Sequence, residues 1–88
     1  MMTNIDLLIS GLGGPENIVE IEPCITRLRI EVHSTEKIDS KQLRASGCHG
    51  LMQHGVGIQI VVGPHAELIA EQISQEIWSA DDEKTEII

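Results

Sequence analysis

The chain has 88 residues, a formal net charge of −8 and a single aromatic residue, Trp78. This length supports one small domain with an aliphatic core. The acidic charge and the lack of stacking aromatics argue against a nucleic-acid partner, because such binding depends on Lys and Arg contacts to phosphate. No apolar run approaches the ~20 residues that span a bilayer and no signal-peptide pattern precedes the domain, so we expect a cytoplasmic protein.

The first helix is predicted to begin at Thr3, which forms a capping box with Asp6 three residues later. Apolar residues then recur at helical spacing, and the helix should end near Gly11. The glycines of residues 11–15 resemble a phosphate-binding loop, but they follow no strand and no Lys-Ser/Thr pair follows them. A helix stop and a turn are the favoured interpretation.

A β-hairpin is predicted on both sides of Pro23. The run before it alternates hydrophobic residues with glutamates, and the run after it has one apolar and one charged face: Leu28, Ile30 and Val32 against Arg27, Arg29, Glu31 and His33. This period of two is typical of a half-buried strand. The connection holds Cys24, Ile25 and Thr26, so a thiol lies on a turn beside a hydroxyl and two guanidinium groups.

The remaining elements are a short helix, a second hairpin and a long helix. Asp39 should cap the short helix and Gly47 should end it. Strands are expected at residues 51–53 and 56–62, and Pro64 is predicted as the first residue of the last helix. Periodicity stops at residue 79, so residues 1–78 are predicted to form the domain and residues 79–88 an acidic, disordered tail or the stub of a linker.

The order α-β-β-α-β-β-α predicts an α+β fold. Each strand has one apolar face, and three amphipathic helices can cover only one side of a four-stranded sheet. We therefore expect a two-layer sandwich, with a four-stranded antiparallel sheet and three helices on one face. The other face stays exposed to water and carries Arg27 and Arg29.

The turn after Pro23 has the groups needed to carry a phosphoryl group on sulfur. A cysteine reacts as the thiolate, which nearby positive charge and turn N–H groups favour. Arg27 and Arg29 can neutralise the charge of an S-phosphoryl group, and Thr26 can donate to it. Ile25 fits no core position and suits docking with a partner protein. A small turn cysteine beside solvated arginines is an equally simple interpretation of these residues alone.

The motif around this turn resembles a known family. Asn17-Ile18, followed after five residues by Cys-Ile-Thr-Arg-Leu-Arg-Ile-Glu-Val at positions 24–32, is similar to the phosphocysteine signature of enzyme IIB of the bacterial sugar phosphotransferase system, in its glucose and N-acetylglucosamine branch. The resemblance extends to residues 12–17, 50–52 and 57–64. The family's fold, a four-stranded antiparallel sheet covered on one face by three helices, agrees with the predicted order.

The resemblance implies a phosphotransferase component. Cys24 would accept a phosphoryl group from a phosphohistidine of enzyme IIA and donate it to a sugar held by the membrane-embedded enzyme IIC. Arg27 and Arg29 match the family's basic pair, which is associated with transfer to the sugar, and Thr26 matches its phosphate-side hydroxyl. The residues present require no metal, and no cofactor is implied. We expect the isolated protein to be a monomer. It would associate with the inner face of the cell membrane through enzyme IIC.

Two positions depart from the family's pattern. Ser34 stands where Asp or Gln is usual, and it lies beyond the strand. Cys48 stands where a small apolar residue is usual, and we interpret it as a buried or half-buried residue outside the chemistry.

Two other functions are compatible with parts of the sequence. A thiol redox or metal-binding module would use Cys24, Cys48, His49 and His54, but no Cys-x-x-Cys pair is present and Cys48 is adjacent to His49 rather than at ligand spacing. A non-catalytic IIB-like module would bind a regulator, but a domain used only for docking would not need Cys24 and the two arginines.

Overall fold

The computed structural model describes the backbone of residues 3–85 and the side chains of residues 3–78. Along this part of the chain, the helices and strands follow the predicted order: α1 (Ile5–Gly11), β1 (Ile18–Cys24), β2 (Arg27–Val32), α2 (Ser40–Ala45), β3 (Gly50–His54), β4 (Gly57–Val61) and α3 (Ala66–Thr85). None of the helices described is long and apolar enough to cross a membrane.

The four strands form one antiparallel sheet in the order β1-β2-β4-β3. Each hairpin therefore contributes one inner strand and one edge strand. The inward-facing side chains of β2 and β4 share a single core with those of the three helices, so the helices cover one face of the sheet. This arrangement confirms the predicted two-layer α+β sandwich, and it leaves the other face of the sheet open.

The core is aliphatic, as the composition predicted. Its fully buried members come from both layers and include Leu8, Leu12, Leu28, Leu43, Ile58, Ile60 and Ile73. Burying one side chain of this size stabilises the fold by about 1.5–3 kcal/mol. The alternation along β2 is therefore enforced by burial of every second residue.

The predicted cap of α1 is wrong by one residue, whereas that of α2 is confirmed. Asn4, not Thr3, caps α1, because its Oδ1 accepts from the backbone N–H of Leu7 at 3.1 Å. Asn4 is also held by its own N–H, which donates to the carbonyl of Ser46 at 2.7 Å. Asp39 accepts from two backbone N–H groups at the start of α2. Asn and Asp are both strong capping residues, so the sequence alone ranked the candidates at α1 incorrectly.

Helix α3 differs from the prediction at both ends. It begins at Ala66, because Pro64 and His65 form a turn before it. It continues to Thr85, past the end predicted at residue 78. The physical reason is that a helix already formed can extend through residues without an apolar stripe where no Gly or Pro stops it. A linker role for residues 79–88 stays a prediction, and residues 86–88 lie outside the described part.

Both hairpins are closed by two residues. Cys24 belongs to β1, so only Ile25 and Thr26 connect it to β2, one residue fewer than predicted. The second hairpin turns at Gly55 and Val56, one residue later than predicted. The first turn residue has a positive φ in both cases, 62° at Gly55 and 51° at Ile25. Glycine adopts this conformation freely, whereas a β-branched residue is strained in it.

Asn17 fastens the other end of the first hairpin. Its side chain is buried and donates to the carbonyls of Leu12 at 2.7 Å and Ser34 at 2.9 Å, while its Oδ1 accepts from the N–H of Ser34 at 2.9 Å. Gly13, with a φ of 101°, leaves room for it, since a Cβ there would lie 2.6 Å from Asn17 Nδ2. Asn17 thus ties the end of α1 to both strands of the hairpin.

We expect Asn17→Ala to lower the free energy of unfolding by about 3 kcal/mol, because it leaves buried donors and acceptors without partners. Urea denaturation monitored by circular dichroism measures this. Asn4→Ala is the matched control and should cost only about 1 kcal/mol, since it removes one exposed cap. Equal losses in the two variants would contradict a special role for Asn17.

Ile25→Gly should raise the free energy of unfolding by up to about 1 kcal/mol. The substitution relieves the left-handed strain, and the lost side chain is 86% exposed and contributes little burial. The same denaturation experiment tests this expectation. A clear loss of stability would mean that Ile25 supports the fold rather than being strained by it.

Candidate functional site

The two-residue turn brings a thiol and a guanidinium side by side. Cys24 ends β1, Arg27 begins β2, and the two are directly paired, with Cα atoms about 5 Å apart in such a pair. Leu28 is buried, so Arg27 and its partner Cys24 lie on the open face of the sheet. Cys24 is an exposed, free thiol. A group bound to its sulfur would lie within reach of Arg27.

The second arginine lies one pleat away on the same face. Arg29 pairs with Glu22, and their side chains form an ion pair with 3.9 Å between Nη1 and Oε1. Both side chains are largely exposed, at 60% and 62%, so the pair contributes at most about 1 kcal/mol. An anionic ligand can therefore draw Arg29 from Glu22 at little cost.

Arg27 has a neutral partner on the neighbouring strand. Its Nη1 donates to Oε1 of Gln59 on β4 at 3.0 Å. A guanidinium has five N–H donors, so this bond leaves most of them available to a ligand. Gln59 is also the direct partner of Arg29 in the β2–β4 ladder, so it lies beside both arginines.

The turn itself is tied to the segment before α3. The carbonyl of Thr26 accepts from the backbone N–H groups of Val62 at 2.9 Å and Gly63 at 3.0 Å. These bonds fix the half-buried Thr26 and, with it, the position of Cys24 two residues earlier. The predicted hydroxyl therefore belongs to a rigid part of the turn.

Ile25 is the most exposed large hydrophobic residue of the described part, with 86% of its surface accessible. It stands at the tip of the turn beside Cys24. The expectation that it has no place in the core is confirmed. The turn thus joins an exposed thiol, a positively charged pair and an apolar tip.

Glu22 and Gln59 contact the two arginines of the candidate site, and the sequence alone predicts neither contact. A two-residue turn would have paired Glu22 with Arg29, but the predicted three-residue connection obscured this register. The position of Gln59 depends on β4 lying beside β2, which is a contact between strands far apart in sequence. The alternation of β4 alone places Gln59 on the open face without saying what it meets.

The residues of the redox or metal alternative are not brought together. Cys24 lies on edge strand β1, whereas His49 and His54 flank or end the opposite edge strand, β3. Cys48 is half-buried, as expected, and its Sγ donates to the carbonyl of Leu43 at 3.2 Å. Among the residues with described side chains, no three His, Cys, Asp or Glu residues are close enough to hold a metal ion.

Comparison with known proteins places the hairpin within one family. A family model described as phosphotransferase system, EIIB, matches residues 7–39, which include the whole of β1, the turn and β2. The N-acetylglucosamine-specific EIIB component of Streptomyces coelicolor is 44% identical over 73 residues, which cover 83% of this chain and 95% of that protein.

Longer relatives contain a similar domain as one part. The N-acetylglucosamine-specific EIICB component of Bacillus subtilis is 37% identical over 80% of this chain, which spans only 16% of that protein's length. A solved domain of a phosphotransferase-system IIabc component from Clostridium difficile has a TM-score of 0.70 and 25% identity, over 84% of this chain and 78% of that one. The chain belongs to the EIIB family, the phosphotransferase components of the phosphotransferase system.

Proposed function

We propose that Cys24 carries a phosphoryl group between two partners. It accepts the group from a phosphohistidine of enzyme IIA and donates it to a sugar of the glucose or N-acetylglucosamine class, held by the membrane-embedded enzyme IIC. The observation that carries this proposal is the exposed Cys24 thiol directly opposite Arg27, with Arg29 one pleat along on the same face. The names of the relatives support the sugar class, and the fused EIICB relative supports the partner.

In the first transfer, the Cys24 thiolate attacks phosphorus and the phosphorus–nitrogen bond of the phosphohistidine breaks. The electron pair of that bond stays on the imidazole nitrogen. The phosphoryl group passes through a loose, metaphosphate-like arrangement, so the protein contributes mainly position and charge. Arg27 offers a forked guanidinium to the new dianion, and the Thr26 hydroxyl can donate to it.

In the second transfer, a sugar hydroxyl oxygen attacks phosphorus and the sulfur–phosphorus bond breaks. The electron pair returns to sulfur, which leaves as the thiolate, and the proton of the hydroxyl passes to solvent. Arg29 lies two residues along β2 from Arg27, the partner of Cys24, and so places a second positive charge roughly 7 Å from that pair. We therefore assign Arg29 to the phosphoryl group as it moves toward the sugar.

Docking with enzyme IIA would use the apolar tip of the turn. Ile25 offers a rigid, exposed side chain beside the thiol. The chain is acidic overall, so its basic turn is the attractive region for a phosphorylated, anionic partner.

Replacement of the thiol tests the carrier function. We expect Cys24→Ser to abolish labelling when the protein is incubated with labelled phosphoenolpyruvate, the two general phosphotransferase proteins and a matching enzyme IIA. Cys48→Ser is the matched control and should be labelled normally, because Cys48 is half-buried and its Sγ is engaged with the carbonyl of Leu43. Label that persists without Cys24, or no label on the native protein, would refute the proposal.

Arg27→Lys and Arg29→Lys should each permit labelling by enzyme IIA but lower the rate of sugar phosphorylation by about tenfold or more, because Lys cannot reproduce the guanidinium fork. Sugar phosphate formed by membranes that contain enzyme IIC is the measurement. Arg44→Lys, on the exposed surface of α2, is the control and should leave both steps unchanged. Sugar phosphorylation at the native rate in both turn variants would contradict the assigned roles.

A further inference from the structure

The open face of the sheet continues beyond the site as a groove of about 660 Å³. The strand register arranges this face in rows: the Cys24 row, the Glu22 and Arg29 row, and a third row that crosses from Glu20 to Glu31, Gly57 and His54. The groove covers the last two rows. We call it the acidic groove, and its lining includes Glu20, Glu22, Arg29, Glu31, Met52 and Val56.

The charge of the acidic groove is negative. Glu20, Glu22 and Glu31 bring three carboxylates, and Arg29 brings one guanidinium, so the formal sum is −3 + 1 = −2. Arg29 is already paired with Glu22. The two carboxylates of the third row have no Lys or Arg in that row.

The pairing of Glu20 with Glu31 in the third row does not stabilise the fold. Glu20 and Glu31 are direct partners in the β1–β2 ladder, and like charges directly opposite one another destabilise a sheet. A local arrangement that opposes stability is the kind of feature found at functional surfaces. The groove also exposes apolar side chains, with Met52 57% and Val56 49% accessible.

We propose that the acidic groove docks a Lys- or Arg-bearing cytoplasmic segment of enzyme IIC. This inference rests on the proposed function and names a second contact for the same partner. Cytoplasmic loops of membrane proteins carry an excess of Lys and Arg, which complements the groove. Met52 and Val56 can pack against the aliphatic stems of such side chains while Glu20 and Glu31 bind their charged ends.

The negative charge of the acidic groove also argues against two other occupants, a second copy of this chain and a lipid surface. A second copy of this chain would bring the same acidic groove to the interface, and an anionic lipid surface would be repelled. The third row lies four residues along β1 from Cys24, or about 14 Å, on the same face. One partner can therefore fill the groove and still present a sugar to the turn.

The test separates docking from chemistry. The variant is Glu20→Gln with Glu31→Gln, and the matched control is Glu67→Gln with Glu71→Gln, two exposed acids on α3 in the other layer. Each protein is phosphorylated by enzyme IIA and then titrated into sugar phosphorylation by membranes that contain enzyme IIC. We expect the groove variant to raise the KM for the phosphorylated protein about fivefold at low salt, with a smaller difference at high salt, while the control changes it little.

Two further readouts keep the inference falsifiable. Labelling by enzyme IIA should proceed at the native rate in the groove variant, and urea denaturation should show it at least as stable as the native protein, since the like-charge pair is gone. An unchanged KM, or an equal rise in the α3 control, overturns the inference. Slower labelling by enzyme IIA would assign the groove to enzyme IIA instead and also overturn it, whereas failure of the native protein to be labelled would refute the proposed function itself.

Discussion

The register of the first hairpin is the constraint on which the site depends. Because two residues close the turn, Cys24 pairs with Arg27, and Glu22 then pairs with Arg29. A slip of one residue would exchange the two faces of a strand and turn the charged side chains toward the core. Burial of Leu28 and its alternating neighbours on β2 opposes such a slip. Packing on one face of the sheet thus determines the chemistry on the other.

The turn combines strain with firm attachment. Ile25 occupies a left-handed conformation, which costs about 1–2 kcal/mol for a residue with a side chain. The two hydrogen bonds accepted by the Thr26 carbonyl and the buried Asn17 network at the other end of the hairpin hold this geometry. Strain that is held in this way is typical of functional positions. It keeps an apolar tip and a thiol in a fixed relation, so little ordering is needed when a partner arrives.

The sequence predicted the order of elements because the two periodicities are clear. Alternation along β2 identified Arg27 and Arg29 on the open face, and the motif around Cys24 identified the family. The cap at Asn4 was missed because Thr3 and Asn4 are both good capping residues. The extension of α3 past residue 78 was missed because the helix propensities of the residues there do not mark an end. Gln59 could not be assigned, because its contact with Arg27 depends on β4 lying beside β2. Pairing between strands that are distant in sequence is set by the whole core and leaves no local pattern.

Weak and exposed interactions suit the proposed carrier function, in which the protein must give up the phosphoryl group that it accepts. Arg29 is held by an exposed ion pair, and Arg27 by one neutral amide. A buried ion pair would cost several kcal/mol to break and would oppose each change of partner. Conversely, tight binding of the phosphoryl group would stabilise the loaded state and raise the barrier to the next transfer, since only interactions that strengthen in the transition state accelerate a reaction. Arg27 and Arg29 have fixed positions but only weak contacts, which allows the phosphoryl group to be both accepted and released. The other end of the same face is acidic, so the positive charge of this face is concentrated near the turn.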